Sequence, residues 1–261
     1  GNHASTYSTD SSPQYQLSGF NKNYKAVRFS GEPNRLVTAP LDFYETQKST
    51  IFVVSTFDDN SNRSILHQWA PNNNWTIEYH SGSFKHVIKD SGYPGISGEN
   101  YIDQPILITT TAGDSLTRMT INGFNHHEQT FSGYLQSNQD QKLFIGGRSD
   151  ESARSFNGKI SEVLIFDKVL SESEYAKVSA YLAKKWGLTA KVDSDNDGFT
   201  DAVEIAAGSD HLDDTSLAIN YPDFSDTVDA EIGVASGLDS LEGNLALWLD
   251  AANINGENNA G

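Results

Sequence analysis

Between residues 25 and 166 the chain returns eight times to a short run rich in β-branched and aromatic residues. The runs cover residues 25–31, 50–57, 64–70, 75–80, 105–111, 116–123, 142–148 and 158–166, and most are separated by Gly, Asn, Asp or Ser. Short strands with regular turns point to a β-sandwich or barrel. The run at 116–123 shows the pattern most clearly. Leu116, Arg118 and Thr120 alternate with Thr117, Met119 and Ile121, the period of a half-buried strand, and Asn122-Gly123 then reads as a hairpin turn. One segment breaks the pattern. Residues 170–188 place Tyr175, Val178, Leu182 and Trp186 on one helical face, and Ser171 with Glu174 forms a capping box. Lys184 and Lys185 sit in the last turn, and Gly187 is placed to end the helix. The expectation is a mainly β chain with one helix behind the strands.

The charge is lopsided. The 261 residues carry a formal charge of −17, yet no Lys or Arg follows Lys191, and 16 acids lie from Asp193 onward. A near-neutral globular part is therefore followed by an acidic one. Without a basic stripe, nucleic-acid binding is excluded as an expectation. The absence of cysteine excludes disulfides, thiolate zinc sites and cysteine nucleophiles. Hydrophobic residues make up 37%, enough for a core, and mean hydropathy is −0.49. No run approaches the roughly 20 apolar residues of a membrane helix, so no membrane insertion is expected. The polar opening "GNHASTYSTD" is no signal peptide and suggests an excised or processed fragment.

The acidic part is patterned rather than diffuse. With Asp193 as position 1, Asp195, Asp197, Gly198, Phe199, Asp201 and Glu204 fall at positions 3, 5, 6, 7, 9 and 12. This matches the calcium loop D-x-[DN]-x-[DN]-G-x5-E. Ca²⁺ takes six to eight hard oxygen ligands, which alternating carboxylates supply as the loop curls. Gly198 permits the sharp turn, Phe199 offers its carbonyl, and Glu204 closes the shell with two oxygens. Calcium is the expected cofactor, in a structural role. No helix runs directly into the loop, but a short one over 201–207, ended by Gly208, is expected after it.

The segment from "KLFIGGR" through "FNGKISEVLIFDKVLS" to "YLAKKWGL" resembles the concanavalin A-like, laminin G-like domains of bacterial extracellular proteins. The resemblance covers roughly residues 1–188. It implies a jelly-roll β-sandwich with a helix near the domain end, and an extracellular or cell-surface location. The calcium loop resembles the thrombospondin type 3 or dockerin-like repeats of bacterial surface proteins. In those a G-[ST]-D step supplies further ligands, which Gly208-Ser209-Asp210 matches, so the resemblance implies Asp210, with Asp213 or Asp214, as ligands of a second ion. The residue after that Asp is His211 rather than the usual Pro, and no second loop follows. The implied organisation is a laminin G-like sandwich over 1–190, a calcium repeat over 191–218, an acidic linker over 219–243 and a strand-bearing segment over 244–261.

That last segment raises the question of its partner. Leu245, Leu247, Trp248, Leu249 and Asp250 lie in "LALWLD", which reads as a buried strand. In the family such a strand opens the domain, ahead of a "GNHA"-type segment like the one at residues 1–4. The resemblance therefore implies a chain out of phase with its domains, its first strand missing from the front. The strand then belongs to the next domain of an array, or fills the gap in a neighbouring subunit; closure back into its own sandwich, or a free tail, are the alternatives.

Catalysis is not expected. Glycosidases of this fold carry paired acids as E-x-D-x-x-E, absent here, and Glu78 stands alone and reads as an outward-facing strand residue. The expectation is a non-catalytic, calcium-stiffened structural or adhesive module of a filament or surface adhesin, with itself as partner. The alternative is a calcium-dependent glycan-binding lectin, for which Trp69, Trp75 and Tyr79 are the aromatics that could stack on sugar rings.

Overall fold

The computed structural model describes residues 4–6, 12–20, 23–31, 34–40, 48–70, 73–88, 95–97, 101–130, 142–148, 154–218 and 245–250. The expected acidic linker over 219–243 lies outside them. Two antiparallel sheets form a sandwich. Strands are numbered in chain order. The first sheet runs β1 (Ala4–Thr6), β4 (Leu36–Pro40), β13 (Lys142–Ile145), β6 (Arg63–Ala70), β7 (Asn73–His80), β8 (Ser83–Ile88), β9 (Gly95–Ser97). The second runs β12 (Asn125–Thr130), β11 (Leu116–Ile121), β10 (Ile106–Gly113), β5 (Ser49–Phe57), β14 (Asn157–Phe166), β3 (Tyr24–Ser30), β2 (Gln14–Phe20), and β15 (Leu245–Asp250) joins it on β14.

All eight expected strands are present. Besides β12, into which the expected hairpin turn leads, five further strands within the sandwich, β1, β2, β4, β8 and β9, were not foreseen. They are short or mix polar with apolar residues, and pairing rather than local pattern holds them. The hairpin turn is as expected: Asn122 and Gly123 both have positive φ, at 56° and 82°, between β11 and β12.

Strand β5 shows why the second sheet is buried on both faces, since all nine of its residues are buried. Phe57 points between the sheets, where its ring meets Phe84, Phe156 and Tyr79 at centroid distances of 5.1, 5.0 and 6.1 Å. Phe52, of opposite parity, points the other way, and its ring lies 5.6 Å from Tyr175 of helix α1 (Glu172–Lys185). The helix therefore covers the face turned away from the first sheet, and strands between two layers are continuously apolar rather than alternating. Its ends follow the sequence. The Ser171 side chain accepts from the Glu174 amide, and Glu174 accepts from the Ser171 amide. Val178, Leu182 and Trp186 are buried.

One buried charge ties the helix to the sheet. Glu162 of β14 accepts hydrogen bonds from Trp186 Nε1 at 2.5 Å and Lys185 Nζ at 3.2 Å. Glu162→Ala is expected to cost about 2 kcal/mol, because the indole N–H loses its buried acceptor while Lys185 can still reach water. Glu162→Gln, which keeps an acceptor, is expected to cost less, and urea unfolding of the two variants measures the difference.

The terminal strand pairs within its own chain. In β15, Asp250, Leu249, Trp248, Leu247 and Leu245 stand opposite Glu162, Val163, Leu164, Ile165 and Phe166 of β14. This is the self-closing arrangement among the fates considered above. The reason lies in the length of β14: β3 pairs only with Asn157 to Ile160, leaving the rest of that edge for another strand.

Candidate metal centre

The loop expected to hold calcium begins where the polypeptide leaves α1. Trp186 caps the helix, and the Leu188 amide returns to the Ala183 carbonyl. Two bonds then close the segment on itself: Asp201 N to Val192 O at 2.8 Å, and Ala202 N to Thr189 O at 3.0 Å. Thr200 caps the short helix α2 (Asp201–Ala207), and Gly208 ends it in the left-handed region, as the sequence implies.

Within the loop, carboxylates curl the backbone inward. Asp193 accepts from the amides of Asn196 and Gly198 at 2.7 and 2.9 Å. Asp195 accepts from Asp197 N, and Asp197 from Phe199 N, each through one oxygen. Gly198 has φ of 104° with open space where a Cβ would stand, so conformation rather than room calls for glycine there. One oxygen each of Asp193, Asp195 and Asp197 gathers within 4.8 Å of the others.

This leaves a distinctive set of atoms. Asp195 Oδ2, Asp197 Oδ2 and Glu204 Oε2 are shielded from solvent and accept no hydrogen bond. Burial, then the neighbouring carboxylates, pushes Asp195 up to about 7 and Glu204 up to about 8; burial is also the main cause that raises Asp193. Buried acceptors without donors, beside acids that repel one another, are costly unless a cation joins them. The donor set is all oxygen, which suits a hard divalent ion. The residues therefore fit calcium.

Asp201 stands apart from that set. Its two oxygens accept from Ser194 N and Ser194 Oγ, both at 2.9 Å, and it is buried. It braces the loop across its neck, a role that position 9 of the motif does not announce. The Ser194 hydroxyl at position 2 was the available signal.

Asp210 and Asp213 are not drawn into the acid cluster. Asp210 accepts from Leu212 N, and Asp213 from Thr215 N and Oγ1. Each shapes its own exposed turn. Among the described residues the one grouping of three acids is Asp193, Asp195 and Asp197.

The loop is seated on the sandwich. Asp193 N donates to Asn122 O at 3.0 Å, and a Cβ on Gly123 would stand 1.9 Å from Asp193 O. The β11–β12 turn is thus the floor on which the loop rests, a contact that joins positions some 70 apart in sequence and that sequence reading missed.

The remaining candidates lie elsewhere. Tyr79 packs on Phe57 and Phe84 and lines a small cleft with Asp59, Asn60 and Tyr101. Trp69 and Trp75 lie in β6 and β7, their side chains outside the described set. Glu78 alternates with the core-facing Ile77 and Tyr79, so it faces away from the core as expected, yet it is covered rather than open to solvent. It is 1% exposed and paired with Arg154 at 3.2 Å. Arg154 arrives from the connection before β14, a partner no local pattern reveals.

Two family profiles match the chain. The laminin G-like profile of the concanavalin A-like lectin/glucanases superfamily matches residues 42–176, and that of the bacterial TSP3 repeat matches residues 193–213. No curated protein matches significantly. Among solved structures, the receptor binding domain of botulinum neurotoxin C/D mosaic serotype is similar at 13% identity and a TM-score of 0.53, over 69% of this chain and 46% of that one. Domain 4 of AbnA, a GH43 extracellular arabinanase from Geobacillus stearothermophilus in complex with arabinotriose, is similar at 14% identity and a TM-score of 0.50, over 65% and 84%. Mouse laminin α1 chain domains LG4-5 give 17% identity and a TM-score of 0.46, over 63% and 46%.

Proposed function

We propose, for a chain that belongs to the concanavalin A-like lectin/glucanases superfamily and carries a bacterial TSP3 repeat, the role of an extracellular, non-catalytic structural or adhesive module, stiffened by calcium and joined head-to-tail to its neighbours. The observation that carries this reading is the seating of the calcium loop on the sandwich. Asp193 is buried against the β11–β12 turn, one oxygen each of Asp193, Asp195 and Asp197 lies within 4.8 Å of the others, and Asp195, Asp197 and Glu204 each keep a buried oxygen that accepts no hydrogen bond. A repeat hung on a flexible tether could bind calcium without consequence for the domain. A repeat fused to the sheet transmits its rigidity.

Asp193, Asp195, Asp197 and Glu204 would hold the ion, with the Phe199 carbonyl completing the set. Bound calcium supplies charge neutralisation and rigidity. Asp201 holds the loop neck, Gly198 allows its turn, and the β11–β12 turn fixes its direction. Light scattering and electron microscopy of the purified chain, with calcium and then with chelator, test the role. The expected result is end-to-end multimers at high concentration that lose stiffness in chelator. A compact monomer at every concentration, with the same shape in both conditions, would overturn it.

The second reading is a calcium-dependent glycan-binding lectin. It is favoured by the cleft where Tyr79 and Tyr101 stand beside Asp59 and Asn60, an aromatic wall with polar groups at its edge. Binding on a glycan array that Tyr79→Ala abolishes would establish it over the first.

A further inference from the structure

We propose that the edge of β14 from Glu162 to Phe166 is an exchangeable strand-acceptor site. Within one chain its own residues 245–250 fill it; between chains the same strand of a second copy does. The proposal rests on the reading of the protein as a head-to-tail module and names the surface through which copies join.

The edge is built to be shared. Along its other side β14 pairs with β5 almost throughout, from Gly158 opposite Phe57 to Phe166 opposite Thr50. On the outer side β3 stops at Ile160 and β15 starts at Glu162. The register against β5 shifts at that same point, between Ile160 and Glu162. A bulge there bends the strand and re-aims its edge, so the two stretches offer separate landing sites.

The acceptor is held without its guest. Glu162 is fixed by Trp186 and Lys185 from α1. Phe166 packs its ring 6.2 Å from that of Phe52. Val163, Leu164 and Ile165 are paired on the other side with Val53, Phe52 and Ile51 of β5. Withdrawing β15 exposes a row of unpaired backbone groups beside apolar side chains, and such an edge captures a matching strand.

A long stretch of chain joins the guest to the rest of the protein. Residues 219–244 separate it from the calcium repeat, 26 positions that span up to roughly 85 Å when extended. A connection of that length sets an effective concentration of about millimolar at most. Closure within one chain therefore dominates in dilute solution, and exchange competes where neighbours are crowded. One-way exchange is heterologous and propagates as a filament; reciprocal exchange closes a dimer.

The absence of cysteine gives a background-free trap. Val163 and Leu249 are opposite in register, as are Ile165 and Leu247. Full-length V163C/L249C is expected to close an internal disulfide when dilute. A mixture of V163C chains with L249C chains is expected to form a linked pair. Its yield should rise with concentration to about tenfold that of V163C mixed with L217C, a cysteine at an exposed site off the strand. The pair I165C and L247C repeats the measurement in case geometry at the first is poor. If both double variants close internally but neither mixture exceeds the control up to millimolar chain, the strand is fixed in its own domain and exchange is overturned. If neither double variant closes, the acceptor assignment itself fails. Wild-type multimers, with no 163–249 or 165–247 link above control in the cysteine mixtures, would leave the module reading standing and remove this surface; a link in the mixtures while the wild type stays monomeric would do the reverse.

Discussion

Calcium is expected to raise the melting temperature of this chain and to reverse its dependence on pH. Without the ion, burial and mutual repulsion place Asp195 and Asp201 at about 7 and Glu204 at about 8 in the folded state. In the unfolded chain such groups titrate near about 4. The folded protein thus binds more protons than the unfolded one between those values. Its stability falls as pH rises through that window. In chelator the chain should melt higher at pH 5 than at pH 8. Calcium binds the ionised carboxylates, so protons compete with it at pH 5 and scarcely at pH 8. The calcium-induced rise should accordingly be larger at pH 8. At a hundred times its dissociation constant a ligand contributes about 2.7 kcal/mol, which for a domain of this size is a shift of about 5–10 °C. Glu204→Gln should abolish the shift. The same variant in chelator at pH 8 should melt above the wild type, because it removes a buried charge while an amide oxygen can still accept from Ser209. Melting curves at the two pH values, with calcium and with chelator, decide the matter. Equal curves in the two conditions, or a shift that survives Glu204→Gln, would show that these carboxylates hold no ion.

The loop was legible because its chemistry is local. Every acid of the motif stands at a fixed offset from Asp193, and the Gly198 turn and the short helix follow within the same stretch. The same holds for α1, whose cap residues and apolar face lie within one window. Strands were legible where one composition ran their whole length, as in 50–57 and 158–166. They were not legible at β8, where Lys85 and His86 are buried in the midst of the sheet; burial alone drives His86 down to about 3. Long-range partners were the larger loss. Glu78 looks solitary in sequence because Arg154 lies 76 positions away, and Glu162 gives no sign of Trp186. The terminal strand shows both sides. Its apolar run announced a strand at once, but its place depended on how far β3 extends along β14, which no local pattern encodes.

Gly123→Val is expected to be the most damaging single change outside the core, and its effect should appear at the calcium site. Gly123 has φ of 82°, and a Cβ there would stand 1.9 Å from the Asp193 carbonyl oxygen. The clash is with backbone, so no side chain can swing aside. Nor can the turn retreat easily. Asn122 donates to Leu107 O and accepts from Leu107 N, both at 2.8 Å, which pins the turn to β10. The calcium loop must therefore lift, and the bond from Asp193 N to Asn122 O goes with it. Strain at the positive φ and the lost seat together should cost about 3 kcal/mol. Calcium affinity should fall at least about tenfold, since a displaced Asp193 spoils position 1 of the ligand set. Gly208→Ala separates strain from clash: it has φ of 77° but open space around the new Cβ. It should cost about 1 kcal/mol and leave the seat intact. Calorimetric titration with calcium and thermal melts of both variants make the comparison. If Gly123→Val binds calcium as the wild type does, the loop is an independent appendage and calcium stiffens only the tail. If its affinity and melting temperature fall together while Gly208→Ala keeps its affinity, ion and sandwich are one cooperative unit. In that case the acidic repeat works as a brace for the β-sandwich rather than as a linker beside it.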